Sequence, residues 1–257
     1  MNDDTERRHE RPDAATVLAS VADVDGWMTH AQGEALFEAA RVCPPGGTIV
    51  EIGSFRGRST IVLAAAADPA VRVVAIDPHA GNDRGPEELN GFEAAASDDH
   101  ELFLANLRRA GVAERVEHLR IFSHDAHTSI DGEIDVLYVD GAHRYHPALD
   151  DIRSWGDRVR PGGSMLIHDS FSSIGVTLAI LRTLVPGSRF RYVGRRRSLA
   201  IYRADLGHEV SERVANAGRQ LAQLAWFVKN VALKIVLRVG GGRIWALVGC
   251  DEPEWPY

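Results

Sequence analysis

The stretch Val50-Glu51-Ile52-Gly53-Ser54-Phe55-Arg56-Gly57, and the apolar run Val73-Val74-Ala75-Ile76 closed by Asp77, constrain this chain more than any other part of its 257 residues. An apolar strand from Thr48 to Ile52 enters a glycine turn, and a helix-compatible stretch from Arg58 to Ala67 follows. Glycine at 53 and 57 lets backbone pass close to a ligand with no Cβ in the way. The first amides of the following helix face that ligand with partial positive charge. The next strand ends in a carboxylate, which can accept two hydrogen bonds from a ribose diol. These features describe a nucleoside crevice at the carboxyl ends of parallel strands.

Spacing narrows the nucleoside. A dinucleotide fingerprint reads G-x-G-x-x-G, but Phe55 stands where its second glycine would be. A pyrophosphate would lose its closest backbone approach, which weighs against a nicotinamide dehydrogenase. Glu51, one residue before the end of the strand, adds negative charge suited to a ligand with a cationic part. S-adenosylmethionine carries an ammonium, a sulfonium and a ribose, and no phosphate, so it fits the pattern.

A sequence of this length can build one sizeable core, or one domain with an appendage. The net charge of -7 argues against a nucleic-acid partner while leaving room for a local basic patch. Cys43 and Cys250 make no disulfide framework, so a reducing cytoplasm is expected. Residues 1–13 are polar, without the apolar core of a leader peptide, and read as a disordered tail.

The domain is expected over 14–204. Thr29 and Gln32 form a capping-box pattern for a helix from His30 to about Val42, which Pro44-Pro45-Gly46-Gly47 stops. Strands are predicted at 48–52, 71–77, 116–122, 134–140, 163–168, 190–193 and 198–203. Helices are predicted near 58–67, 97–110, 146–158 and 174–185. Alternation of apolar strands with helices implies a mostly parallel, doubly wound, Rossmann-like α/β sheet covered on both faces. Gly194 to Arg197 reads as the turn of an antiparallel C-terminal hairpin. The segment 78–96, rich in glycine, is long for a βα loop and reads as a lid.

Residues 205–257 differ in kind. From Arg213 to Cys250 there is no acidic residue, against six basic ones: Arg213, Arg219, Lys229, Lys234, Arg238 and Arg243. Apolar residues from Leu221 to Val236 recur at helical spacing. This basic amphipathic extension fits a homodimer contact, packing on its own domain, the inner face of a membrane or another partner equally well.

A second constellation closes the next two strands. Ile134 to Val139 leads into Asp140-Gly141-Ala142-His143, and Ser164 to Ile167 into His168-Asp169-Ser170. In a parallel sheet both ends open on the same edge as Gly53 and Asp77. Carboxylate oxygens suit a hard cation such as Mg²⁺, which could hold two vicinal hydroxyls and lower the pKa of one. His143 is placed to take that proton. Asp125, after the third strand, is positioned for the adenine side of the crevice. Asp150 and Asp151 read as solvent-facing.

These residues resemble the class I S-adenosylmethionine-dependent methyltransferases, in the branch of metal-dependent sugar O-methyltransferases of macrolide biosynthesis and the cephalosporin-hydroxylase-like proteins. The likeness runs from about Gly26-Trp27-Met28 to Tyr202. It rests on Glu51-Ile52-Gly53-Ser54 with Gly57 and Ser59-Thr60, Ala75-Ile76-Asp77-Pro78, Tyr138-Val139-Asp140-Gly141-Ala142-His143, and Pro161-Gly162-Gly163 with Asp169. It implies methyl transfer to a hydroxyl of a small acceptor, a sugar or glycolipid. Gly53 and Ser54 would neighbour the methionine part, with Glu51, Gly57 and Ser59 in the same cofactor motif. Asp77 would bind the ribose and Asp125 lie near the adenine. Asp140 and Asp169 would be metal ligands and His143 the general base. Where some relatives carry an acidic pair, this chain has His168-Asp169: either the imidazole of His168 replaces a carboxylate ligand, or the site works without metal. A hydroxylase-like metal enzyme on the same scaffold and a non-catalytic adaptor acting through 205–257 stand as the alternatives.

Overall fold

The computed structural model describes residues 12–80 and 93–238. Most of the expected tail, the central part of the expected lid and the end of the extension lie outside the described residues. Asp13, assigned to that tail, instead caps the first helix, its carboxylate accepting from the Thr16 amide at 2.7 Å.

Seven strands form one sheet: β1 (Thr48–Ile52), β2 (Arg72–Ile76), β3 (Val116–Leu119), β4 (Ile134–Val139), β5 (Val159–Ile167), β6 (Arg191–Arg196) and β7 (Leu199–Arg203). Their order is β3-β2-β1-β4-β5-β7-β6. The first five run parallel, and β7 is antiparallel to both β5 and β6. The order reverses between β1 and β4, the topological switch at which doubly wound sheets open a crevice.

Among the described residues, eight α-helices flank the sheet: α1 (Ala14–Ser20), α2 (His30–Arg41), α3 (Arg58–Ala66), α4 (Glu93–Arg109), α5 (Tyr145–Asp150), α6 (Ile174–Thr183), α7 (Val210–Leu221) and α8 (Leu224–Arg238). The capping box holds at the start of α2, where the Thr29 amide donates to Gln32 Oε1 at 2.7 Å. Successive β1 residues point to opposite faces and build two cores. Ile49 joins Leu36, Leu63, Val73 and Phe103 on one side; Val50 joins Val74, Leu137, Trp155 and Ile180 on the other.

Three local expectations need correcting. The helix expected over 146–158 is the short α5, followed by a wider π-type turn at Asp151–Trp155 and a 3₁₀ turn at Gly156–Arg158. That widening carries Trp155 into full burial. The strand expected at 163–168 begins earlier, so Pro161 and Gly162 lie inside β5, beside a register shift opposite Asp135. The hairpin reverses at Arg197 (φ 54°) and Ser198, not across Gly194, which sits at an irregularity in β6.

Candidate active site

Backbone hydrogen bonds run on past the strand ends and align the site residues along one edge. Asp77 N donates to Leu119 O (3.1 Å), Gly53 N to Ile76 O (2.8 Å), Asp140 N to Ile52 O (2.8 Å) and His168 N to Val139 O (2.9 Å). Each residue lies one step beyond its strand, so the parallel register alone brings the two sequence constellations together.

The glycine turn is organised from two sides. Asp77 Oδ2 accepts from the amides of Ser54 (3.0 Å) and Phe55 (2.8 Å), and Oδ1 from the amide of His79 (2.8 Å). The carboxylate therefore clamps the turn. Phe55 adopts φ 45° and packs against Trp27, ring centroids 5.1 Å apart. His79 Nε2 lies 2.8 Å from Phe55 O. The Ser54 hydroxyl is buried without a hydrogen-bond partner among the described residues. A buried hydroxyl left without a partner is what a polar ligand end would satisfy.

Two of the glycines are required by packing. A Cβ on Gly53 (φ 88°) would meet Asp140 O at 2.1 Å, and one on Gly57 (φ 86°) would meet Phe103 at 3.1 Å. Glu51 also departs from expectation. It has no exposed surface, and its two carboxylate oxygens accept from the hydroxyls of Ser59 and Thr60 at the start of α3. Burial pushes its pKa up to about 8, against the lowering effect of those hydroxyls. It is thus mainly neutral near pH 7 and supplies no charge to the crevice; Ser59 is occupied in holding it. Asp125 sits in a single 3₁₀ turn (Ser123–Thr128), its side chain 62% exposed and 3.5 Å from His124.

Asp140, His143, His168 and Asp169 converge. His168 Nδ1 lies 3.0 Å from Asp140 Oδ1 and 3.7 Å from Asp169 Oδ1; His143 Nε2 lies 3.8 Å from Asp140 Oδ1 and 3.6 Å from Asp169 Oδ2. Ligand atoms of Asp140, His143 and His168 fall within 4.8 Å of one another, so His143 joins the expected Asp140 and His168, with Asp169 beside both imidazoles. Asp169 turns off the strand line at φ 52°. Four buried atoms here, His143 Nε2, both His168 nitrogens and Asp169 Oδ1, have no aligned hydrogen-bond partner among the described residues. Burial opposes charge on His168, yet Asp140 and Asp169 raise its pKa to about 9. Burial likewise works against His143, and Asp169 and Asp140 carry it above the ordinary imidazole value. Burial alone would raise the Asp140 carboxyl; His168 and His143 outweigh it and hold Asp140 well below the usual range.

Among known families, residues 50–170 match the model described as a methyltransferase domain. The match runs from β1 to the loop after β5, so this segment is similar to a methyltransferase domain. Solved structures agree on the fold. Cofactor-bound Rv0187 from MTB is 22% identical with TM-score 0.52, over 75% of this chain and 89% of that one. The O-methyltransferase from Bacillus cereus in complex with SAH is 18% identical with TM-score 0.53, over 74% and 87%. The O-methyltransferase NovP is 18% identical with TM-score 0.52, over 70% and 83%.

Several residues of the candidate site were not legible in the sequence. Tyr138, wholly buried, donates its hydroxyl to Asp140 Oδ2 at 2.7 Å and fixes that carboxylate. Asp151 is buried, not solvent-facing, and accepts from the Ser123 hydroxyl at 2.5 Å. A Cβ on Gly175 would meet His143 O at 2.2 Å, and Ser173 Oγ donates to the same carbonyl at 3.2 Å, so the start of α6 seats His143. The helical extension reaches the site too. Asn230 Nδ2 donates to Phe171 O at 3.2 Å, and Lys234 Nζ to Ser172 O at 3.2 Å and Ser172 Oγ at 3.0 Å. Only Tyr138 had a readable signal, at i−2 from Asp140 on the same face of one strand.

Proposed function

We propose that this domain moves a methyl group from S-adenosylmethionine to a hydroxyl of a small molecule. The observation that carries the reading is the alignment of Gly53, Asp77, Asp140 and His168 one step beyond four adjacent parallel strands. It puts a nucleoside-type crevice next to a cluster able to take a proton. The motif resemblance at 138–143 and 161–169 points to a sugar or glycolipid as the acceptor.

S-adenosylmethionine brings a methyl group already activated on a sulfonium. In this reading Asp77 binds the ribose hydroxyls with lone pairs left by the amides, and the unpartnered Ser54 hydroxyl meets the methionine end. Phe55, on Trp27, walls the crevice. His143 in its neutral form takes the acceptor proton, with Asp140 and Asp169 stabilising the resulting imidazolium. Alignment of acceptor oxygen and methyl group accounts for much of the rate, up to about 7–11 kcal/mol in well-oriented systems.

The donor atoms of Asp140, His143 and His168 also fit a divalent cation. Such an ion would hold and acidify an acceptor hydroxyl. Two imidazoles and one carboxylate suit a first-row transition ion better than Mg²⁺, which favours oxygen ligands. The same donor set favours a second reading, a hydroxylase-like metal enzyme. Turnover without S-adenosylmethionine would select it.

Equilibrium titration with S-adenosylhomocysteine tests the primary reading. Binding is expected, and Asp77→Asn should weaken it by about tenfold or more through a lost charged acceptor. Transfer of labelled methyl from S-adenosylmethionine to a panel of glycosides then identifies the acceptor. Absence of any binding would refute the proposal.

A further inference from the structure

The last two helices are turned inside out. A surface helix normally buries its apolar stripe and shows its polar face to water. In α7 and α8 the residues at 0–3% exposure are Asn216, Gln220 and Asn230. Asn216 accepts from the Tyr192 amide at 2.7 Å and donates to Phe190 O at 3.1 Å. Asn230 and Lys234 reach inward to Phe171 and Ser172. Meanwhile Val210, Val214, Leu221, Val228 and Ile235 are 46–73% exposed. Trp226 and Phe227 of α8 pack against the core, but Val210, Val214, Leu221, Val228 and Ile235 have no place inward and face out.

The exposed set has a period. Val214, Leu221, Val228 and Ile235 are seven residues apart, and the two helices nearly join. Ala222 N bonds Gly218 O at 3.0 Å, Gln223 N bonds Gln220 O at 3.0 Å, and Phe227 N bonds Gln223 O at 3.0 Å. Seven-residue spacing on a nearly continuous helix keeps side chains on one slowly drifting face. Soluble monomers rarely leave such an apolar stripe uncovered.

Charge selects what covers it. No acidic residue occurs from Arg213 to Arg238, and Arg219 and Lys229 are exposed beside the stripe. The adjoining β6–β7 hairpin adds exposed Val193 and Arg196. Its Arg195 lies on Trp226 of α8, 3.8 Å from the ring centroid. A second copy of this stripe would set cations against cations. An anionic bilayer takes apolar side chains into its interfacial layer and draws basic ones to its headgroups. Among the described residues no helix is long and apolar enough to cross a membrane, so the contact lies along the surface.

We propose that the outer face of α7 and α8 is a docking surface for an anionic lipid bilayer. The proposal stands independently of the chemistry assigned above. Its test is flotation of the full-length protein with phosphatidylcholine vesicles and with vesicles also containing phosphatidylglycerol. Binding to the second kind only, reduced by added salt, is expected. The double variant Val228→Ser, Ile235→Ser should weaken it by about tenfold or more, and Lys229→Glu by about fivefold or more. Both change exposed positions, and an unaltered melting temperature verifies that they fold. Failure to float with either vesicle would overturn the proposal. So would a dimer in solution that the double variant dissociates, because a second copy would then occupy the face.

Discussion

Gly53 and Asp140 stand so close that a Cβ on the glycine would sit 2.1 Å from the Asp140 carbonyl oxygen and 2.9 Å from the Gly141 amide nitrogen. The glycine joins the crevice loop to the carboxylate that anchors the histidine cluster. Its left-handed backbone (φ 88°) compounds the constraint. Gly53→Ala is therefore expected to destabilise the fold by at least about 2 kcal/mol. It should also weaken S-adenosylhomocysteine binding, because the strand ends must separate. Thermal melting and ligand titration of the same variant check both effects; wild-type values in both would remove the coupling.

Glu51 makes stability depend on pH. Its folded pKa of about 8 lies above the ordinary glutamate value of 4.5. Folded protein holds a proton that the unfolded chain releases, so this contribution is complete below about 4.5 and is lost as pH rises through about 8. Glu51→Gln mimics the protonated acid. It should match the wild type near pH 5 and exceed it above pH 8, the gap growing by up to about 1.4 kcal/mol per pH unit between the two pKa values. Urea unfolding across that range measures the difference. A constant gap would mean that Glu51 is not the titrating group.

Ion binding at Asp140, His143 and His168 must displace a proton. His168, raised to about 9, is mainly protonated at neutral pH. Uptake of Mn²⁺ or Zn²⁺ at pH 7 should release about one proton or more per ion. Calorimetry in buffers of different ionisation enthalpy reads this number directly. His168→Gln should abolish the release along with most of the affinity. Excess chelator should suppress methyl transfer; full transfer in chelator would leave His143 acting without an ion.

Lys234 ties the extension to the catalytic edge. Its ammonium holds Ser172, three residues from Asp169, and burial lowers its pKa while Asp169 raises it. Lys234→Met should cost about 1–3 kcal/mol by leaving the Ser172 carbonyl without this partner. It should also speed amide exchange in 169–173 without changing exchange in β1. Uniform protection in the variant would show that α8 does not steady the loop.

Much of the fold was legible because it rests on short-range patterns. Five strands alternating with helices, three of them followed directly by Gly53, Asp77 or Asp140, leave few arrangements other than a parallel doubly wound sheet. The sheet edge then collects Gly53, Asp77, Asp140 and His168 by register alone. The roles of individual side chains were less legible. Glu51 looked like a charge for the ligand, and only its distance from water and its seat under Ser59 and Thr60 make it a neutral strut. Asp151 looked exposed because the π-type turn that buries it has no sequence signature.

By itself, then, the sequence determined the order of elements, the strand-end chemistry and the basic character of the C-terminal segment, all set by neighbours within a few positions. Only the tertiary structure decided that His143 stands in the compact trio with Asp140 and His168, that Lys234 reaches the loop after β5, and that Val214, Leu221, Val228 and Ile235 face outward while Asn216, Gln220 and Asn230 are buried. Those outcomes depend on contacts between segments far apart in the chain, where burial and hydrogen bonding to distant backbone override local periodicity.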